Sequence, residues 1–161
     1  MTFEESIIQD LTGKFPDLEG KCTSPRQRRI TIEVPKDEFA EVIGYAAKAL
    51  SFTMLCTITG LDLGDELQAI YHIANEKGVV LNLKRNMPRP EPVIGTVTGI
   101  YQGAALYERE LKDLLGIRVD GLPTGERYPL PDLWPEDQHP LRKDWKQDML
   151  NQRGGGTVKN E

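Results

Sequence analysis

The spacing of apolar residues changes several times along the 161-residue chain, and each change marks an element. Phe3, Ile7, Ile8 and Leu11 fall at helical steps, closed by Gly13 and Pro16, which predicts a short amphipathic helix over Phe3–Lys14. Ile30-Thr31-Ile32-Glu33-Val34 alternates strictly, as a half-buried strand does, and Pro35 ends it. Over residues 37–50, Phe39, Val42, Ile43, Ala46 and Leu50 recur every three or four positions, while Asp37 and Glu38 suit the positive end of a helix. Three strand-like runs follow at 52–62, Glu66–Ala74 and 79–85. The links between them, Leu63-Gly64-Asp65 and Asn75-Glu76-Lys77-Gly78, are short and polar. Links of that length join antiparallel neighbours, whereas a parallel return needs a crossover of about a dozen residues. The runs therefore predict an antiparallel β-meander, with Leu67, Ala69, Tyr71 and Ile73 on one face and Val79, Leu81 and Leu83 sharing a face. A sheet covered on that side by the helices is an α+β fold.

Met87-Pro88-Arg89-Pro90-Glu91-Pro92 reads as a stiff spacer that ends the meander, since each proline fixes its own backbone and restricts the residue before it. A short helical turn is predicted over 96–101. A firmer helix follows over Ala104–Leu115, with Tyr107, Leu111 and Leu114 as its apolar stripe and Gly116 as its terminator. From Arg118 onward, Pro123, Pro129, Pro131, Pro135 and Pro140 break every periodic pattern. The organisation expected is an α+β domain over 1–117, an extended proline-rich C-terminal arm over 118–150, and a flexible tail over 151–161.

Composition narrows the function. No run of about 18 apolar residues exists to cross a bilayer, and the acidic start Met1-Thr2-Phe3-Glu4-Glu5-Ser6 lacks the basic-then-apolar order of an export signal. A cytoplasmic location follows as an expectation. The net charge of −5 argues against a nucleic-acid partner, which needs a dominant basic surface. Arg26, Arg28 and Arg29 make a local basic spot that reads as a solvated strand entrance. Cys22 and Cys56 lie too far apart for a closely spaced ligand pair and read as two buried or partly buried reduced thiols. His72, in a strand, and His139, in the arm, read as structural histidines.

The helix over Ala104–Leu115 places Glu108 four residues before Lys112 and Arg109 four before Asp113. By spacing alone these are ordinary surface pairs, each contributing about 0.2 to 0.5 kcal/mol. Glu108 and Glu110 would need a cleft and a positioned substrate to act as acid and base. The sequence contains no phosphate loop, dinucleotide fingerprint, G-x-S-x-G or zinc-protease helix, so the residues name no independent enzyme. The arm is more informative. Leu122, Tyr128, Leu130, Leu133, Trp134, Leu141 and Trp145, interleaved with Arg127, His139, Arg142 and Lys143, are too apolar for a merely disordered tail and have the composition of a docking arm.

Tyr107-Glu108-Arg109-Glu110 with Asp113 and Gly116-Ile117, then Leu130-Pro131-Asp132-Leu133-Trp134, then His139-Pro140-Leu141-Arg142-Lys143-Asp144, closely resembles the signature of the 30 kDa subunit family of respiratory complex I. That family includes subunits of energy-converting membrane-bound nickel-iron hydrogenases and formate hydrogenlyases. The match is strong over 107–144 and holds only at the level of pattern over 30–85. Leu106 stands where many complex I members have tryptophan, and Gly121-Leu122-Pro123-Thr124-Gly125-Glu126-Arg127 replaces their G-H-P-D-x-R-R, which leans the resemblance toward the hydrogenase branch. The alternative branch is the C-type subunit of a quinone oxidoreductase fed by NADH or another donor.

What the resemblance implies is a peripheral-arm subunit of an ion-translocating redox complex with no cofactor of its own, on the cytoplasmic face of the membrane. The nickel-iron centre and iron-sulfur clusters would then belong to partners. Those partners would be the large catalytic subunit, of the nickel-iron hydrogenase or 49 kDa type, and neighbouring iron-sulfur subunits. It also implies an interface made by Glu108, Arg109, Asp113, Arg127, Trp134, His139, Leu141, Arg142, Lys143, Asp144 and Trp145. In that arrangement Arg142 and Lys143 would pair with a partner's acids or carbonyls, while Leu141 and Trp145 bury apolar area. A free-standing binding module or assembly factor remains the competing class.

Overall fold

The computed structural model describes residues 1–153, and side chains through residue 150. A five-stranded sheet, in the order β1-β2-β5-β4-β3, carries helices on one face. Its elements are α1 (Phe3–Lys14), β1 (Cys22–Arg26), β2 (Arg29–Glu33), α2 (Phe39–Lys48), β3 (Met54–Asp62), β4 (Glu66–Ala74) and β5 (Val80–Pro88). After these come β6 (Val93–Gly95), α3 (Ala104–Leu115), β7 (Arg118–Asp120) and α4 (Asp148–Arg153).

The predicted meander forms: β3 pairs antiparallel with β4, and β4 with β5. The face assignment holds as well, because Leu67, Ala69, Tyr71, Ile73, Leu81 and Leu83 are buried together. The Phe39 ring of α2 meets the Tyr71 ring edge-on at 5.0 Å. β2 enters beside β5 in parallel, with Ile30 opposite Leu81 and Ile32 opposite Leu83, so its two apolar residues join the same core layer. The opposite face of the sheet is a polar layer, where the His72 ring bridges Thr59 (2.9 Å) and Asn82 (2.7 Å) across three strands.

Four details differ from the sequence reading. β5 runs through Met87 to Pro88, because a proline at a strand end loses no ladder bond that matters. β1, which is polar and contains Pro25, forms an edge strand with all but its first residue exposed, a position that tolerates proline. β6 and β7 pair in parallel as a small second sheet, so paired structure continues past residue 117 to Asp120. Cys56 is exposed rather than buried, and only Cys22 is half-buried. Of the tail expected over 151–161, Asn151 to Arg153 continue α4 and the rest lies outside the described residues.

α3 packs on β3, the contact that positions everything downstream. A side chain at Gly60 of β3 would collide with Leu111 and Leu115, so glycine lets the helix approach the strand. The stripe that α3 buries is Ala104, Glu108, Leu111 and Leu115, rotated from the expected stripe of Tyr107, Leu111 and Leu114. That rotation turns Glu108 inward.

Candidate subunit interface

Glu108 is fully buried. Its Oε1 accepts from the Val97 N–H (2.8 Å) and its Oε2 from the Thr96 hydroxyl (2.5 Å), which fastens α3 to the chain ahead of it. Burial pushes its carboxyl pKa up, and the Thr96 and Val97 hydrogen bonds oppose that rise. The buried Tyr71 hydroxyl lies beside this carboxylate without closing a hydrogen bond of ordinary geometry to any described residue. Burial first, and the Glu108 charge second, push that phenol far above the usual tyrosine range.

Neither of the expected surface pairs on α3 forms. Glu108 is turned away from Lys112, and Asp113 is held by Arg127 instead of Arg109. Asp113 accepts from Arg127 Nε at 3.1 and 3.2 Å and from the Leu130 N–H at 3.3 Å. Arg127 also donates through Nη1 to the Trp134 carbonyl, so one guanidinium ties the arm to the helix at two places. Among the described residues Arg109 reaches the carbonyls of Pro123 (3.3 Å) and Thr124 (3.5 Å) and no carboxylate. Replacing Arg109 by alanine should therefore lower the stability of the isolated chain by less than about 1 kcal/mol. A melting-temperature loss much above about 4 °C would contradict this.

The His-Pro-Leu-Arg segment has a defined intramolecular role. An α-helix ends with orphan carbonyls that need donors. Here the Ile117 N–H donates to the Leu111 carbonyl (3.3 Å) and the Gly116 N–H to that of Lys112 (2.9 Å). The arm supplies the next three: His139 Nδ1–H to Asp113 (2.9 Å), the Leu141 N–H to Leu114 (3.0 Å) and Arg142 Nε–H to Leu115 (2.7 Å). Arg142 also brings positive charge to the negative end of the helix dipole. Gly116, with φ of 70°, takes the left-handed turn, and a side chain there would press into His139 at 2.5 Å. HPLR is thus a helix cap delivered from about 25 residues downstream.

Beyond the cap, the arm is latched to the end of β3. Asp62 accepts from Arg89 Nη1 (2.5 Å), from the Lys143 N–H (2.8 Å) and from the Gly64 N–H (2.9 Å). Arg89 Nη2 reaches on to Asp144 at 2.6 Å. The Arg89 hydrogen bond holds the Asp62 carboxyl well below the usual aspartate range. Between cap and latch, the rings of Trp134 and Trp145 lie 5.8 Å apart. The buried Gln138 accepts from both indoles, through its carbonyl and its Oε1, and donates to the Met149 carbonyl. Asp62, Arg89 and Gln138 were not singled out from sequence. The first two come from a strand end and from the Pro-Arg-Pro spacer, which nothing local connects.

The residues expected at an interface are therefore first used within the chain: Asp113, Arg127, Trp134, His139, Arg142, Asp144 and Trp145 all hold the arm on its own domain. What the arm leaves outward is Leu133, 97% exposed, and Leu141, 54% exposed, with Lys143 beside it. On the domain, Met54 and Leu106 are more than half exposed and flank a cleft of about 680 Å³ that also touches Tyr107, Glu110 and Tyr128.

The geometry defines an α+β domain whose own C-terminal segment caps and latches its last long helix while presenting apolar residues outward. The chain belongs to the family described as respiratory-chain NADH dehydrogenase, 30 Kd subunit, which matches residues 32–149. It is 40% identical over 144 residues to the C-type subunit of F(420)H(2) dehydrogenase from Methanosarcina mazei, covering 88% of this chain and 90% of the relative. It is 26% identical to the membrane-bound hydrogenase subunit beta of Pyrococcus furiosus, covering 91% and 88%. A chain in the structure of an archaeal membrane-bound sulfane sulfur reductase superposes with a TM-score of 0.80 at 25% identity, over 98% of this chain and 94% of that one.

Proposed function

We propose that this chain is a peripheral, cofactor-free subunit of a membrane-associated redox complex, docking on the large catalytic subunit through the outer side of its arm and of α3. The observation that carries the reading is the exposure of Leu133, Leu141, Leu106 and Met54 on a folded chain whose similar proteins are named as subunits of such complexes. No helix among the described residues is long and apolar enough to cross a membrane; attachment in this reading is through partner subunits, on the cytoplasmic face. The redox groups, whether a nickel-iron centre or iron-sulfur clusters, belong in this reading to those partners. Among the described residues no group of three or more His, Cys, Asp or Glu side chains is placed to hold a metal. The greater identity to the F(420)H(2) dehydrogenase subunit than to the hydrogenase subunit favours a dehydrogenase-type complex over a hydrogenase.

The test is affinity purification of the tagged chain from native membranes. Co-elution with a large catalytic subunit and iron-sulfur subunits is expected, and a monodisperse chain recovered alone would overturn the reading. Metal analysis of the isolated subunit should find no stoichiometric iron, nickel or zinc. A bound equivalent of any of them would overturn the cofactor-free assignment.

A further inference from the structure

The five-stranded sheet has two edges, and they differ in kind. β1 has the features that discourage further pairing: it is five residues long, contains Pro25, slips register between Thr23 and Arg26 and ends on that arginine. β3 is nine residues long, and from Met54 to Leu61 it carries no proline and no charge. Its bulge falls at Cys56, between the pairs Leu55–Ile73 and Thr57–His72, and pairing is regular from there to Asp62. Met54 and Leu61 within it, and Leu63 just past its end, are exposed apolar side chains. A long, uncharged, apolar edge invites a further strand.

The outer side of β3 is a row of backbone groups. The Leu63 N–H donates to the Glu66 carbonyl (2.9 Å) where the hairpin closes, and bonding alternates along an antiparallel pair. Leu61, Thr59 and Thr57 therefore bond to β4, while the N–H and carbonyl groups of Ile58 and Gly60 point away from it. Among the described residues these four groups have no partner, and the hydrogen bond made on that side is the Tyr107 hydroxyl to the Cys56 carbonyl (3.3 Å). α3 runs along β3 above this edge, with Tyr107 at Cys56 and Leu111 and Leu115 at Gly60. The apolar stripe expected from sequence, Tyr107, Leu111 and Leu114, is centred further out than the stripe the helix buries. Tyr107 and Leu114 are left half-buried on the flank that overhangs the edge, and the Leu141 N–H, bonded to the Leu114 carbonyl, brings the exposed Leu141 to the same flank.

We propose that the outer edge of β3 receives an extended segment of a neighbouring protein subunit as a sixth strand, bonded at Ile58 and Gly60 and seated under the overhang of α3. This rests on the proposed role as a subunit of a larger complex and adds the mode of contact. Unpaired N–H and carbonyl groups at strand spacing are matched by another extended backbone. The overhang sets its side chains: apolar residues at alternate positions would meet Tyr107 and Leu114, and the others would lie beside Thr57 and Leu61 on the open face. A second copy of β3 does not fit. Pairing two copies edge to edge in one sheet would put two α3 helices over strands about 4.8 Å apart, whereas packed helices need about 8 to 10 Å between axes. A single strand carries no helix and has room.

The test is amide exchange at single-residue resolution, in the free chain and in the assembled complex. In the free chain the Thr57, Thr59 and Leu61 amides, bonded to β4, should be protected and those of Ile58 and Gly60 should exchange fast. In the complex the Ile58 and Gly60 amides should slow by about 100-fold or more. Unchanged exchange at those two residues in a complex that holds the chain would overturn strand addition alone, while a wild-type chain that never co-purifies would overturn the subunit reading with it. The paired test is Thr57→Lys with Leu61→Lys, two side chains on the open face away from α3. Lysine on an edge strand opposes pairing, so the free variant should keep its exchange pattern while its retention in the complex falls about tenfold. Equal retention of variant and wild type would overturn the proposal. Dimerisation of the free wild-type chain that the two lysines abolish would overturn it in favour of a second copy.

Discussion

Glu108→Ala is expected to lower the stability of the isolated chain by about 3 kcal/mol, because it orphans the buried Val97 N–H at about 1 to 3 kcal/mol and removes the Thr96 hydrogen bond at about 1 kcal/mol, leaving that hydroxyl to turn to Thr98. For a chain of this size that is a fall of roughly 6 to 12 °C in Tm. Glu108→Gln keeps an acceptor for Val97 and the shape of the site, so it should cost much less. It should also remove a pH dependence. The folded carboxyl is raised above its ordinary 4.5 by burial. Its contribution is therefore fully present below that value and is lost as pH rises through the folded pKa. Wild type should thus lose ground to Glu108→Gln as pH climbs from about 4.5. Denaturation curves for the two chains across that range decide it. A constant difference, or an alanine variant as stable as wild type, would return Glu108 to the solvated surface.

Much of this site was within reach of the sequence, and the reasons for the rest are physical. Helix α3 was legible to the residue, since a clean 3.6-residue period runs up to a glycine that ends it. Its orientation was misread by about one position. Ala104, Glu108, Leu111 and Leu115 also repeat at four, three and four, but a carboxylate in a stripe is normally counted as solvated, and only the donors of Thr96 and Val97 reverse that. The meander was legible because short links leave antiparallel pairing as the only geometry. The placement of β2 beside β5 was not, because a parallel partner is chosen by the whole core. Three-residue strands such as β6 and β7 carry too few positions to show a period.

The arm shows the same limit at longer range. Its prolines were read as denying it a ladder of its own, and its apolar residues as needing cover; Trp134 and Trp145 find partners within the chain, while Leu133 and Leu141 stay exposed. Reading it as a docking arm omitted the five carbonyls that end α3. A helix end is a row of acceptors at fixed spacing, and His139, the Leu141 N–H and Arg142 fit three of them. No local signal links a cap to a helix about 25 residues upstream. A signature motif is as readily explained by the chain's own folding as by a partner, and here folding accounts for most of HPLRKD while leaving Leu141 and Lys143 outward.

The latch at Asp62 gives the largest expected effect on the arm itself. Its carboxylate, 2% exposed, receives Arg89, the Lys143 N–H and the Gly64 N–H, so Asp62→Ala strands two backbone donors and leaves Arg89 with only Asp144 and the Gly64 carbonyl among the described residues. Water reaches Arg89, which is 21% exposed, and softens the loss to about 2 to 3 kcal/mol, local to the arm. Amide exchange over residues 143–145 should then quicken by roughly 30- to 150-fold while β4 and β5 exchange as before. Acid should mimic the substitution. The folded carboxyl is depressed below 3.8, so the latch contributes fully above that value and is lost as pH falls through the lower, folded one. Arg89 remains charged throughout and cannot compensate. Because His139 and Arg142 cap α3 independently, the arm should loosen first from Lys143 onward. Equal exchange in the variant and the wild type, or simultaneous loss of protection in the sheet, would show that the arm is not held at Asp62 but is part of the core.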